Sequence, residues 1–263
     1  MAATMLRLTI VAVLAALLVS EPGRAQQTPV DYTLIGAGVR TRPAYDGAAS
    51  RRSEAIPVLR YYGAPWFART TQGVLEGGVR TRPRGGVTAG VQLAYEGGRP
   101  RAESVFLDSH GAENIAPGAS VGAHVEWDAY LGRMPVTTLA RVRRHTRDAL
   151  GRQADLRFTA GVYGGGRFNA AAFVQATWAD SRSVESLYGV TPQQAAATGL
   201  PAFDASAGLL YTTAGLLWSL DLDRAWMLVG SLEARQLRGD ARRSPLAEDA
   251  TNEYVSLGLA YRF

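Results

Sequence analysis

The amino-acid sequence predicts an all-β fold, a single transmembrane antiparallel β-barrel of about 12 strands. Two observations support this prediction. Several segments alternate apolar and polar residues, so that one face of each predicted strand suits lipid and the other suits a lumen. The chain also carries 29 glycines and no cysteine, a composition that suits short strands and tight turns and rules out disulfides.

The N-terminal segment has the features of a secretory signal peptide. Arg7 precedes an apolar run from Leu8 to Val19, and Gly23 and Ala25 have the small-residue spacing of a cleavage site. The run of about a dozen apolar residues is shorter than the ~20 that a membrane-spanning helix needs. We therefore expect residues 1–25 to be cleaved and residues 26–263 to form an exported barrel domain.

Three long segments show the clearest alternation, and the last segment of the chain repeats it. They cover residues 120–131, 155–163, 167–178 and 253–263. In the first, Val125 and Trp127 are predicted to face lipid while His124 and Glu126 face the lumen. In the second, Phe158 is predicted to face lipid and Tyr163 the lumen.

Weaker or shorter segments complete the predicted strand set. They lie near 31–41, 54–62, 64–70, 73–81, 86–96, 135–146, 205–219 and 224–236. The resulting twelve strands satisfy the even number of single-chain bacterial barrels. If residues 54–70 formed one bulged strand, the count would be eleven. Short connections alternate with longer ones, which predicts periplasmic turns at one end and extracellular loops at the other.

Two other classes of protein fit the sequence less well. A periplasmic β-sandwich also alternates, but its polar faces usually carry Lys and Glu, whereas here they carry mainly Gly, Ser, Thr and Tyr. The net charge of +5 could indicate nucleic-acid binding. However, the basic residues, all arginine, are scattered along the chain, so we expect no nucleic-acid partner.

The sequence resembles the MipA/OmpV family of outer-membrane proteins, named for the MltA-interacting protein. The resemblance rests on the order and spacing of short motifs spread over most of the chain. They are Gly36–Val39, Pro43–Gly47, Pro57–Tyr62, Leu187–Thr191, Gly199–Asp204, Gly239–Ala241 with Ser244–Leu246, and Gly258–Phe263.

The resemblance implies a barrel in the outer membrane of a Gram-negative cell, surrounded by lipid. It implies insertion by the barrel assembly machinery, which would read the C-terminal aromatic strand with Leu259, Tyr261 and Phe263. It further implies a non-catalytic scaffold that links a murein lytic transglycosylase to a peptidoglycan synthase. A narrow porin-like channel and a surface adhesin, acting in an osmotic or envelope stress response, remain alternatives. The family supplies no agreed catalytic, cofactor or metal residues.

Charged residues on the predicted lumen faces form the main candidate site. His124, Glu126 and Asp128 share one face of one strand, which would permit a cation site. The alternative, which we favour, is a charge network in which these carboxylates pair with arginines of neighbouring strands. The candidate network consists of His124, Glu126, Asp128, Arg141, Arg143, Asp155 and Arg157. It would narrow or plug the lumen, whereas segregated charges would leave a path for ions.

The sequence also disfavours an enzyme, and we expect no catalytic activity. Asp108, Ser109 and His110 adjoin one another in a loop, but no Gly-x-Ser-x-Gly elbow is present. The long loop from 180 to 204 is predicted to contain a short helix. Thr191 would cap it, Pro192 would start it and Gly199 would end it.

Overall fold

A computed structural model describes residues 33–147 and 150–263, which form a closed barrel of twelve antiparallel strands. The predicted signal peptide lies outside the described residues. The strands are β1 Leu34–Pro43, β2 Arg51–Gly63, β3 Trp66–Thr71, β4 Val74–Thr81, β5 Val87–Glu96, β6 Gly118–Leu131, β7 Met134–His145, β8 Arg152–Gly165, β9 Phe168–Ala179, β10 Gly208–Asp221, β11 Trp226–Leu237 and β12 Thr251–Arg262. The fold class and the count of twelve are confirmed, because residues 54–70 divide at Ala64-Pro65.

Strand β1 closes the barrel by pairing with β12, from Leu34 opposite Arg262 to Thr41 opposite Val255. Glycine makes this close approach possible. A Cβ atom on Gly38 would lie 2.8 Å from the Cα atom of Gly258, closer than side chains pack. The glycines of the first motif are therefore explained by the seam of the barrel.

The outer face is apolar, as the alternation predicts. Val125, Val174 and Leu257 point away from the lumen and are about half exposed, which suits contact with lipid chains. One side chain differs from the prediction. A bulge between Gly161 and Tyr163 shifts the β8 register. As a result Tyr163 lies on the outer face, its ring centroid 5.9 Å from that of Phe168.

The connections differ in length between the two ends of the barrel. Five short turns, at 64–65, 82–86, 132–133, 166–167 and 222–225, lie at the end that holds both Leu34 and Arg262. By the usual arrangement of outer-membrane barrels this is the periplasmic end. The opposite end has a two-residue turn at 72–73, a connection at 146–151 and four longer loops. These four loops, 44–50, 97–117, 180–207 and 238–250, are called the outer cap below.

The outer cap contains, in the described residues, four short α-helices, a 3₁₀ helix at Arg101–Glu103 and two apolar cores. The α-helices are α1 Val105–Ser109, α2 Ser181–Tyr188, α3 Pro192–Thr198 and α4 Gly239–Arg243. One core contains Val184, Tyr188 and Ala241, and the other contains Tyr45, Leu107 and Leu246. Each core joins residues from different loops, so the cap folds as one structure over the barrel mouth.

The predicted loop helix is confirmed as α3. Thr191 caps it and exchanges hydrogen bonds with Gln194, Pro192 occupies its first turn, and Gly199 ends it in the left-handed region. No helix among residues 33–147 and 150–263 is long and apolar enough to cross a membrane.

Candidate functional site: the barrel lumen

Glu76 of β4 is the central acceptor of the lumen. Its side chain is almost completely buried, and one carboxylate oxygen accepts from Arg69 Nε at 2.5 Å and Thr71 Oγ1 at 3.0 Å. The other oxygen accepts from Arg141 Nη1 and Gln92 Nε2, each at 2.9 Å. Arg141 lies on β7, three strands from β4, so this ion pair crosses the lumen instead of following its wall.

Asp155 of β8 extends the same set of ion pairs. It accepts from Arg141 Nε at 2.8 Å and Thr177 Oγ1 at 2.8 Å, and Arg143 Nη2 lies 3.3 Å away. Arg143 also donates to Glu96 at 3.1 Å, and His145 Nε2 lies 3.0 Å from the same carboxylate. A continuous chain of charges therefore runs through the lumen. We call it the lumen charge network; it consists of Arg69, Glu76, Glu96, Glu126, Arg141, Arg143, His145 and Asp155.

The structure pairs some of the predicted network residues differently. Glu126 binds Arg69 at 2.5 Å instead of an arginine of β7 or β8. Asp128 lies at the exposed rim and accepts from Thr137 Oγ1 at 2.7 Å. Arg157 donates to the amide oxygen of Gln175 at 2.8 Å instead of a carboxylate. The predicted partners of Glu126, Asp128 and Arg157 are therefore wrong.

His124 does not join Glu126 and Asp128 in a cation site. Its ring packs edge-on against Phe67, with 5.3 Å between centroids. Within residues 33–147 and 150–263, no group of three or more His, Cys, Asp or Glu side chains has the arrangement of a metal site.

Sequence reasoning missed four members of the network, Arg69, Glu76, Glu96 and His145. Arg69, Glu76 and Glu96 lie on strands β3, β4 and β5, whose alternation is interrupted by glycine and arginine, and His145 is the last residue of β7. The alternation of the strand could have identified Glu76. It lies between the outward-facing positions Leu75 and Gly77 and must therefore face the lumen.

The opposite wall of the lumen is held by a second set of contacts. Arg235 of β11 donates to Asp46 at 2.6 Å and lies over the rings of Tyr211 and Tyr254 at 4.2 and 4.6 Å. Gln72, at the tip of the β3–β4 hairpin, donates to Glu233 of β11 at 2.8 Å. The hairpin tip therefore folds inward and reaches the far wall.

A chamber of about 500 Å³ separates the lumen charge network from the outer cap. Arginines and tyrosines dominate its polar lining: Arg40, Arg42, Arg99, Arg141, Arg143, Arg235, Tyr45, Tyr188, Tyr211 and Tyr254. The carboxylates that line it directly are Asp46, Glu54 and Glu96. The chamber therefore presents planar cations and aromatic rings, groups that suit anions and polar organic molecules.

Buried hydrogen bonds fix the cap above this chamber. Tyr188 Oη donates to the carbonyl oxygen of Asp46 at 3.0 Å, and Tyr45 Oη donates to that of Leu246 at 2.8 Å. Burial raises the pKa of both tyrosines, with the Glu248 carboxylate adding to the effect at Tyr45. Both phenols therefore remain neutral donors and hold three loops together.

The three adjacent loop residues weighed as a hydrolase site are arranged differently from a triad. Ser109 Oγ lies 3.2 Å from His110 Nδ1, and both groups also contact the carbonyl oxygen of Phe106. The Asp108 carboxylate binds Arg101 at 3.0 Å and so does not orient the imidazole, as a triad would require.

The residues predicted as the insertion signal lie together on the lipid face. Leu259, Tyr261 and Phe263 are exposed, and the rings of Tyr261 and Phe263 pack edge-on with 4.9 Å between centroids. Trp226 contacts Tyr261 at 5.1 Å. These aromatics form part of a girdle at the periplasmic interface.

The twelve-stranded closed barrel, its lipid-facing band and its long outer loops define an outer-membrane β-barrel protein with an obstructed lumen. The family model described as MltA-interacting protein MipA matches residues 35–263. The chain belongs to the MltA-interacting protein MipA family, and its location is the outer membrane. A search of curated proteins gave no match.

Solved outer-membrane barrels show a distant similarity. The translocator domain of autotransporter NalP from Neisseria meningitidis is 12% identical, with a TM-score of 0.47, over 99% of this chain and 96% of that one. LpxR from Salmonella typhimurium is 11% identical, with a TM-score of 0.44, over 87% of this chain and 100% of that one. An outer-membrane channel from Pseudomonas putida F1 is 11% identical, with a TM-score of 0.43, over 93% and 100%. Likenesses of this size carry no statement about activity.

Proposed function

We propose that this protein is a non-catalytic envelope scaffold that binds cell-wall enzymes at its periplasmic turns. The observation that carries the proposal is the charge of those turns. Four of the five turns present exposed arginines, namely Arg82, Arg84, Arg133, Arg167 and Arg224, against one carboxylate, Asp223. That carboxylate accepts the backbone N–H groups of Ala225 and Trp226 at 2.7 and 2.8 Å, so it is engaged within its own turn.

A basic surface of this kind favours an acidic partner. The family description, MltA-interacting protein, supports a murein lytic transglycosylase as that partner, with a peptidoglycan synthase as the second enzyme. Each turn is small, and a standard interface buries ~800 Å² per partner. The partner would therefore contact several turns at once, and recognition would depend on their summed charge.

A capture experiment tests this proposal. Arg84, Arg133, Arg167 and Arg224 are replaced together by glutamine, and binding of a purified murein lytic transglycosylase to the refolded barrel is measured at low and high salt. We expect a loss of affinity of about tenfold or more and a weaker salt dependence. The matched control replaces four exposed arginines of the outer end, Arg51, Arg101, Arg182 and Arg242. Equal capture by both variants would contradict docking at the turns.

A narrow channel is the second candidate, favoured by the chamber of about 500 Å³ inside the barrel. The ion pairs across the lumen and the folded cap argue against a channel, since a conducting path needs open space and segregated charge. Single-channel recording in a planar bilayer distinguishes the two. We expect a silent bilayer from protein whose folding is verified by heat-modifiable migration, and stable open steps would favour the channel.

An adhesin would work through the outer cap. Deletion of loops 97–117 and 180–204 without loss of surface binding would exclude it.

A further inference from the structure

One side of β2 has no strand partner over most of its length. β2 pairs with β1 from Arg51 to Arg60, but it pairs with β3 only from Arg60 to Gly63. On the β3 side, residues 51–59 therefore have no ladder partner among the described residues. At about 3.3 Å per residue this is a stretch of roughly 30 Å. The short β3–β4 hairpin leaves a gap in the outer half of the wall.

The gap has a closed frame, and we call it the window. Its lower border is the inward-folded tip at Gln72 and Gly73, and its far side is the end of β5 at Tyr95. Its upper border is loop 97–117, where Glu103 pairs with Arg42 at 3.6 Å and with Arg52. These ion pairs attach the loop to β1 and β2 above the unpaired edge.

The window leads into the chamber. Ala55 and Pro57 point outward from β2 and are exposed, whereas Arg141 and Arg143 point inward and are buried. All four residues line the same cavity. A cavity bordered by both faces of the wall must pass through it, so the chamber opens sideways as well as outward.

Tyr95 indicates where the window lies relative to the membrane. It borders the window at the outer end of β5 and is exposed on the lipid face. Aromatics at this position mark the membrane interface. Unpaired backbone groups are costly in hydrocarbon and are tolerated where they line a polar or water-filled space. The window therefore suits a polar headgroup, and the adjoining lipid face suits acyl chains.

Arg99 supplies a buried cation at the chamber. It is 5% exposed, and its two Nη groups donate to carbonyl oxygens of Leu187, Glu113 and Ser186. Its Nε atom is enclosed by the protein and has no hydrogen-bond partner among the described residues. Burial lowers the pKa of Arg99. The surrounding groups therefore do not fully compensate for the loss of water around the cation. An anion in the adjoining chamber would offset it.

We propose that the window admits the acidic headgroup of an outer-leaflet amphiphile into the chamber, where Arg99 binds its phosphate or carboxylate group. The acyl chains remain in the membrane against the apolar edge of the window. This binding site is separate from the periplasmic turns and does not depend on the scaffold role.

Native mass spectrometry of the refolded protein in a neutral detergent tests the site. Dioleoyl phosphatidylglycerol is titrated against dioleoyl phosphatidylcholine, and free glycerol 3-phosphate is the soluble probe. We expect preferential binding of the anionic lipid, weakened about tenfold or more in Arg99→Gln, because the buried positive charge beside the chamber is lost. Arg101→Gln is the matched control, since Arg101 lies in the same loop, is exposed and pairs with Asp108. Equal binding by the two variants would overturn the role of Arg99.

A second pair of variants tests the route and does not depend on Arg99. Ala55→Trp places a large side chain on the outer face of the unpaired edge, at the mouth of the window, whereas Ala123→Trp places it on the lipid face of β6, away from the window. We expect only Ala55→Trp to reduce lipid binding, with folding of both verified by heat-modifiable migration. Unchanged binding in Ala55→Trp would overturn entry through the window. If glycerol 3-phosphate bound as strongly as the lipid, the site would be an anion site filled from solution. This result would also overturn entry through the window.

Discussion

The two ends of the barrel are built in different ways. The outer end has four long loops with two apolar cores and buried hydrogen bonds between loops. The periplasmic end has five turns of two to five residues, too short to form a core of their own. The outer end therefore has a defined shape, whereas the periplasmic end mainly presents exposed side chains.

This difference bears on recognition. A folded cap with a chamber beneath it can enclose a ligand and select it by shape and hydrogen bonding. Short turns that carry arginines select mainly by charge, so binding there depends strongly on salt. The lumen charge network lies between these two ends and separates the chamber from the periplasm.

The largest effect is expected at Glu76, because it holds the network that separates the two ends. Glu76→Gln removes the negative charge that faces Arg69 and Arg141. We expect a loss of about 3–5 kcal/mol in the free energy of unfolding, since a buried charge pair is broken. Urea unfolding of the refolded protein in vesicles measures it. Asp128→Asn, at the exposed rim, is the control, and a similar small loss in both variants would contradict the central role of Glu76.

The next effect is expected in the cap core. Leu107 of α1 is fully buried, whereas Val105 in the same helix is 86% exposed. Leu107→Ala should destabilise the cap by about 2–4 kcal/mol through loss of apolar burial and a residual cavity. Val105→Ala should have almost no effect. Limited proteolysis of the outer loops measures the difference, and equal cleavage rates would show that the cap does not fold as one structure.

The sequence predicted the barrel well because alternation and turn residues are local signals. All twelve strands lie within a few residues of their predicted positions, and α3 followed from Thr191, Pro192 and Gly199. The position of Glu76 was not predicted, because the contacts that define it come from strands β3, β5 and β7. The packing of Tyr188 with Asp46 joins loops more than 140 residues apart, and no local pattern encodes it. The bulge between Gly161 and Tyr163 was not predicted either. The sequence alternates through this region as in a regular strand, but the bulge turns Tyr163 to the outer face.

A comparison of two aspartates, Asp240 and Asp223, contrasts the ends directly. Asp240 in the cap accepts the backbone N–H of Ser206 at 2.7 Å, which joins two loops, whereas Asp223 accepts backbone N–H groups of its own periplasmic turn. Backbone hydrogen bonds lower the pKa of both carboxyl groups. Because the pKa is lowered on folding, each ionised carboxylate stabilises the folded state above about pH 4. This stabilisation is lost as the pH falls through the folded-state pKa.

We therefore expect Asp240→Asn to increase protease cleavage of loops 180–207 and 238–250 at pH 7. We expect the same increase in the unaltered protein on acidification below about pH 4. Asp223→Asn should leave cleavage of these loops unchanged. Increased cleavage in Asp223→Asn would mean that the two ends are coupled through the barrel.

The smallest effect on stability is expected at Glu103, which forms the upper border of the window with Arg42 and Arg52. These pairs are partly exposed, and exposed ion pairs contribute about 0–1 kcal/mol. Glu103→Gln should leave the free energy of unfolding nearly unchanged but loosen loop 97–117 above the window, so that dioleoyl phosphatidylglycerol binds and dissociates faster. Asp108→Asn removes the exposed pair with Arg101 in the same loop and serves as the control. Exchange rates that are identical in the two variants would show that the border of the window does not limit lipid access.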